Sequence, residues 1–196
     1  MTPRRRGRPG HDQDAVLTAA VRLFNDRGYD ATSMFDVAES LGITKSTLYH
    51  HVTSKEQLLT MAVDRALDGL FEAAADNDAP SATAKLETLI RRSVLVLAER
   101  LAFVTLLLRV HGNTEAEQHA LARRREFDRL VTDLVARAQA EGGIRADVDP
   151  ATAARLIFGM VNSLIEWYRP DRGDPAAIAA TISTFAFEGL RHRPNG

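Results

Sequence analysis

The chain has 196 residues, 45% hydrophobic and 26% charged, with 25 Lys+Arg against 26 Asp+Glu for a net charge of −1. This is a globular composition with length for one large domain or two small ones, and it excludes a polybasic nucleic-acid sponge and an acidic tail alike. The absence of cysteine removes disulfide scaffolds, Cys-based zinc sites, iron–sulfur clusters and thiol catalysis together, and suits a reducing cytoplasm.

Residues 1–11 read as a basic arm in which Arg4, Arg5, Arg6 and Arg8 precede the first acid, Asp12. No apolar stretch follows the arginines, so no export signal is expected. The longest apolar run, Leu101 to Leu108, is too short to cross a bilayer. Leu17, Ala20, Val21 and Phe24 recur at helical spacing and predict a helix ending near Gly28. Met34, Val37, Ala38 and Leu41 repeat that spacing between Ser33, a good N-cap, and Gly42, a good C-cap. A short helix is predicted from Thr44 to about His51. Ser54 with Gln57 then offers a capping box for a longer one reaching about Ala75.

Asn77 to Ser81 reads as a break. Beyond it Leu86, Leu89, Ile90, Val94, Leu97 and Leu101 share a face, and Phe103 to Leu108 is apolar all round, which predicts a central helix. Gly112-Asn113 interrupts. Thr114 and Glu117 form another capping box for a long helix carrying Phe127, Leu130, Val131, Leu134, Val135 and Ala138, ended by Gly142-Gly143. Asp149-Pro150 and Asp174-Pro175 each set a capping acid before a proline and open two final helices. The fold class is all-α, with about nine helices and no strand. Its expected organisation is a flexible arm over 1–11, a helix-turn-helix domain over 12–60, and a helical bundle over 61–196.

Two short helices joined by Gly42-Ile43-Thr44 are each too short to persist alone, and must pack on each other and on the helix before them. That is the helix-turn-helix arrangement, whose second helix enters the DNA major groove. At about 100° per residue, with Leu48 turned inward, the outward surface is Lys45, Ser46, Thr47, Tyr49 and His50. Each of these can hydrogen-bond and none is acidic. Small hydroxyls permit close approach to base edges, the Thr47 methyl suits a thymine methyl, and Lys45 and Tyr49 can reach phosphates. Thr32, the Ser33 cap, Thr44 at the helix start and Lys55 in the next helix are further candidate DNA contacts. The arginine arm suits a narrow A·T-rich minor groove.

The run from Gly28 to Leu59 includes Thr32-Ser33-Met34-Phe35-Asp36-Val37-Ala38, Leu41-Gly42-Ile43-Thr44-Lys45-Ser46-Thr47-Leu48-Tyr49-His50-His51 and Ser54-Lys55-Glu56. It resembles the DNA-binding domain of TetR/AcrR-family repressors over roughly residues 12–60. It departs from the family pattern at Val52-Thr53, where an aromatic and a proline are common. The resemblance implies an all-helical homodimer bound to a near-palindromic operator in double-stranded DNA, with a C-terminal domain that takes a small-molecule effector and releases DNA. It leaves the effector open.

The final helices carry apolar faces with many small residues, among them Ala176, Ala177, Ala179, Ala180 and Gly189, which suits a four-helix dimer interface made from two helices of each chain. Phe103, Leu107, Phe127, Phe158 and Trp167 are candidate pocket walls, with Asn162, Arg109 or Arg169 to fix a polar or anionic end; plain core is the alternative for each aromatic. The stretch Asn162 to Pro170 is similar to segments of family members that sense acyl-CoA thioesters.

No G-x-S-x-G, H-E-x-x-H, P-loop or dinucleotide fingerprint is present, so an enzyme is not expected, nor a cofactor. No metal site is expected either: His50 and His51 diverge on a helix, and Gly112-Asn113 separates His111 from Glu115 and His119. Arg123-Arg124-Arg125 reads as a solvated helix face. A ligand-responsive repressor in the cytoplasm is the leading expectation. An activator, or an effector-independent regulator working through protein contacts, is the alternative, because one reading head serves either sign of control.

Overall fold

The computed structural model describes residues 12–75 and 78–190, and every regular element among them is helical. In chain order these are α1 (Gln13–Arg27), α2 (Met34–Ser40), α3 (Lys45–Tyr49), α4 (Lys55–Ala75), α5 (Ala82–Glu99), α6 (Leu101–Arg109), α7 (Glu115–Ala140), α8 (Pro150–Asn162), α9 (Leu164–Trp167) and α10 (Pro175–Leu190). The single turn α9 follows α8 across Ser163. The chain divides into two compact units, Met1–Ala62 and Val63–Gly196. The division falls within α4.

In the first unit α1 starts where the Asp12 carboxylate accepts the Ala15 N–H at 2.9 Å, and it buries Val16, Leu17, Ala20, Val21, Leu23 and Phe24. α2 and α3 have seven and five residues, so tertiary contact rather than propensity holds them. α2 contributes Met34, Val37 and Ala38 to the interior, and α3 contributes Leu48 alone. Between them Gly42 takes φ +64°, a left-handed conformation that a Cβ disfavours.

In the second unit α5 is the central helix, packed against α7, α8 and α10. It buries Leu86, Leu89, Ile90, Ser93, Val94 and Leu97. This corrects the expectation that the run from Phe103 would be central. The chain breaks at Arg100 (φ −112°, ψ 32°), whose Nη1 donates to the Arg65 carbonyl at 2.7 Å. The following α6 buries Val104, Leu106 and Leu107, while Ala102 is exposed and Phe103 half-buried. Apolar composition all round thus accompanies a helix that is covered unevenly, with Ala102 and Arg109 left exposed.

Before α7 the chain winds around one carboxylate: Glu117 accepts the N–H groups of His111 at 3.1 Å, Asn113 at 2.8 Å and Thr114 at 3.0 Å. Burial pushes this carboxyl up, but the His111, Thr114 and Asn113 donors more than offset it and hold it below the ordinary glutamate range. Arg123 corrects the expectation of a solvated arginine face. Its guanidinium pairs with Asp64 at 2.6 Å and Asp68 at 2.8 Å and lies over the Phe71 ring, 5.3 Å from its centroid. Aromatic rings continue inward edge to face, Phe71 on Phe127 at 5.6 Å and Phe127 on Phe158 at 5.2 Å.

α8 turns Ala153, Ala154, Ile157 and Val161 inward, and α10 does the same with Ala179, Ile182, Ser183, Ala186 and Leu190. Their other faces stay apolar in the open: Leu156 is 64% exposed, Phe185 69%, and Trp167 of α9 54%. Among the described residues no helix is long and apolar enough to cross a membrane.

Candidate nucleic-acid interface

α3 begins at Thr44, whose Oγ1 accepts the Thr47 N–H at 3.1 Å and lies 2.9 Å from the Thr47 hydroxyl. With Leu48 fully buried and Val52 buried behind it, the exposed side chains are Thr44, Lys45, Ser46, Thr47, Tyr49 and His50. The end of the helix is tied to α1 by the Gln13 amide, which donates to the His51 carbonyl at 3.0 Å. Lys45 Nζ sits 5.8 Å from the centroid of the Tyr49 ring, a cation–π spacing that keeps both phosphate-capable groups on one side. From Thr44 to Thr53 there is no carboxylate. Chemically this is a ridge of donors and small hydroxyls without an anion to repel a phosphate.

The α2 entrance is more heavily engaged. Ser33 Oγ accepts the Asp36 N–H at 3.2 Å, and the Asp36 carboxylate accepts the Ser33 N–H at 2.7 Å as well as its hydroxyl. Those Ser33 bonds hold the Asp36 carboxyl below the ordinary aspartate range. Arg27, from the last turn of α1, pairs with Asp36 at 3.3 Å and remains 56% exposed. It is a cation beside Ser33 that the sequence reading did not single out. Its signal was its position at a helix C-terminus, which is ordinary for a basic residue.

One expected contact, Thr32, needs correction, and another, Lys55, is engaged within the protein. Thr32 is 1% exposed, and its hydroxyl donates to the Gly28 carbonyl at 2.8 Å; it closes the turn after α1 and does not face solvent. Lys55 Nζ donates to the Tyr29 carbonyl at 3.0 Å and the Asp30 carbonyl at 3.5 Å, 4.3 Å over the Tyr29 ring. Its charge therefore braces the turn at 29–30. The expected minor-groove residues Arg4, Arg5, Arg6 and Arg8 lie outside the described residues.

The eight candidate ligand residues stand in several different surroundings. Phe158 and Asn162 line a cavity of about 340 Å³ between α7 and α8, with Arg124, Asp128 and Arg155 among its other walls. Trp167 lines a different cleft of about 370 Å³, with Met160 and Phe185. Phe127 is buried within the aromatic series and Leu107 is buried in α6. Phe103 lies beneath the Arg65 guanidinium at 4.9 Å. Arg109 and Arg169 are exposed, and Arg169 donates to the Tyr168 carbonyl at 2.8 Å. A third cleft of about 670 Å³, between α4, α5 and α7, contains none of the eight. Among the described residues no group of three or more His, Asp or Glu side chains is placed to hold a metal ion.

Residues 16–61 match the family of bacterial regulatory proteins of the tetR type, and residues 79–190 match a tetracyclin repressor-like C-terminal domain. The HTH-type transcriptional repressor KstR2 of Mycolicibacterium smegmatis is 29% identical over 175 residues, covering 87% of this chain and 85% of its own. A member of the TetR transcriptional regulator family from Streptomyces coelicolor A3 is 48% identical, with a TM-score of 0.83 over 90% of this chain and 91% of that one. AibR, solved with isovaleryl coenzyme A and operator DNA, is 27% identical, with a TM-score of 0.73 over 88% of this chain and 96% of its own.

Proposed function

Because the chain belongs to the TetR family of transcriptional regulators, we propose that it is a homodimeric repressor, released from a near-palindromic operator by a small lipophilic effector. The observation that carries this reading is the acid-free, exposed α3 ridge. Lys45, Ser46, Thr47, Tyr49 and His50 present donors and one methyl to the major groove. Ser33 and Thr44 stand at the starts of the two short helices, whose first-turn ends suit a phosphate, and Arg27 adds a cation beside Ser33.

Two copies joined through the outward faces of α8 and α10 bury Leu156, Trp167 and Phe185, which are otherwise open. The resulting two-fold axis matches half-sites about one helical turn apart. Effector control requires tighter binding to the DNA-incompetent state, by about 1–3 kcal/mol for an ordinary coupling. The α7–α8 cavity with Phe158 and Asn162 offers an aromatic wall and an amide for such a molecule. An acyl-CoA is one class that fits, since AibR was solved with isovaleryl coenzyme A.

The test is a gel shift on DNA upstream of its own and neighbouring genes. Sequence-specific, salt-sensitive retardation that disappears in Tyr49→Ala is the expected result; no retardation on any such fragment at low salt overturns the reading. Thermal shift against a metabolite panel, paired with release of the bound DNA, then identifies the effector class.

A further inference from the structure

Among the described residues of the first unit, Phe35 and Tyr49 are the large apolar or aromatic side chains left open. Tyr49 belongs to the α3 ridge and carries a hydroxyl. Phe35, the second residue of α2, has only a ring to offer and leaves it 60% exposed. Met34 and Val37 on either side of it are buried, whereas Ser33, Glu39 and Ser40 are exposed and polar. The ring is therefore a single apolar spot in a polar surround. It is far smaller than the roughly 800 Å² per partner of an ordinary protein interface, so a second protein matches it poorly. A methyl group matches it well.

Side chains of a helix lean toward its N-terminus, which carries the Phe35 ring toward Ser33 and the turn before α2. The acid of that first turn is already engaged: the Asp36 carboxylate pairs with Arg27 at 3.3 Å and accepts the Ser33 N–H at 2.7 Å. Glu39, exposed one turn further along α2, repels phosphate and so confines a nucleic-acid contact to the beginning of the helix. The apolar group that duplex DNA displays in its major groove is the thymine C5-methyl, which a phenylalanine ring can cover. We propose that Phe35 is a specificity-determining residue whose ring packs on the C5-methyl of one thymine in each half-site, a different thymine from the one facing Thr47. The inference rests on the repressor reading and adds an apolar element to its sequence code. A ring with neither donor nor acceptor selects thymine by the methyl, where Lys45, Ser46 and His50 select by hydrogen bonds.

The test uses the full chain and an operator duplex recovered by selection from random-sequence DNA, in which thymidines are replaced one at a time by 2′-deoxyuridine. That exchange deletes the methyl and keeps every hydrogen-bonding group and charge. At one thymine the exchange should weaken wild type about fourfold in a single half-site and about fifteenfold in both, as expected for one buried methyl each. Phe35→Ala should bind the thymidine and deoxyuridine duplexes equally at that position and keep the wild-type melting temperature, because the ring is open to water. Thr47→Ser, which removes only a methyl from the protein, should retain the discrimination there. A wild type indifferent to every exchange overturns the assignment without any variant. So does a methyl effect that persists in Phe35→Ala, or one that disappears only in Thr47→Ser. In those cases the recovered operator still upholds the DNA-binding reading; if selection enriches no sequence, that reading fails and this inference falls with it.

Discussion

Replacing Thr32 by Val separates a structural role from a DNA-contacting one at a residue whose type suits both. Valine keeps the branched shape and removes only the hydroxyl, which donates to the Gly28 carbonyl at 2.8 Å in a side chain 1% exposed. The loss leaves a shielded carbonyl without this donor, at a cost of about 1–2 kcal/mol. For a chain of this size each kcal/mol lowers the melting temperature by about 2–4 °C, so a fall of about 2–8 °C is expected. Circular dichroism during heating reads that fall. Anisotropy titration of operator DNA, well below the transition, should return the wild-type affinity and salt dependence, because no protein–DNA contact has been removed. Unaltered melting together with operator binding weakened about tenfold would refute the reasoning and place the hydroxyl on a phosphate.

Lys45→Ala should weaken binding to all DNA sequences similarly and reduce the slope of log affinity against log salt by about one charge, measured by anisotropy across a salt series. Glu117→Gln should cost about 1–3 kcal/mol at neutral pH in urea unfolding. Its folded carboxyl lies below the unfolded value near 4.5, so the carboxylate's stabilisation is complete above that value and disappears as pH falls through the lower, folded one. The gap between wild type and variant should therefore narrow in acid. Phe185→Glu, at a position 69% exposed, should leave the fold intact and yield monomers in sedimentation, with operator affinity lower by about tenfold or more once the two heads are no longer linked.

Much of the helical architecture was legible because capping chemistry is local. Ser33, Thr114 and Asp149 cap the helices expected of them, and the inward turn of Leu48 follows from helical period alone. Ser54 shows how far such reading extends: its hydroxyl accepts the Gln57 N–H at 3.1 Å, but the Gln57 side chain reaches back to the Thr53 N–H at 2.6 Å, one residue earlier than a regular box. Partners distant in sequence were not legible. Nothing around Arg123 announces Asp64 and Asp68, and nothing around Lys55 announces the Tyr29 carbonyl, because the tertiary fold brings these groups together. Aromatic identity was equally silent about direction. Phe127 and Trp167 both stand on helices rich in apolar residues, yet one is 4% exposed and the other 54%.

Trp167 is the sole tryptophan of the chain, and its indole N–H donates at 3.3 Å to the hydroxyl of Ser163, which itself donates to the Met160 carbonyl at 2.7 Å. The ring is thus steadied in the open, among residues expected to meet a second chain. Its emission becomes an intrinsic optical gauge of assembly, red-shifted while water wets the indole and moving to shorter wavelength when another subunit covers it. Dilution followed by fluorescence alone would then trace the association equilibrium, with no dye or tag attached to the protein.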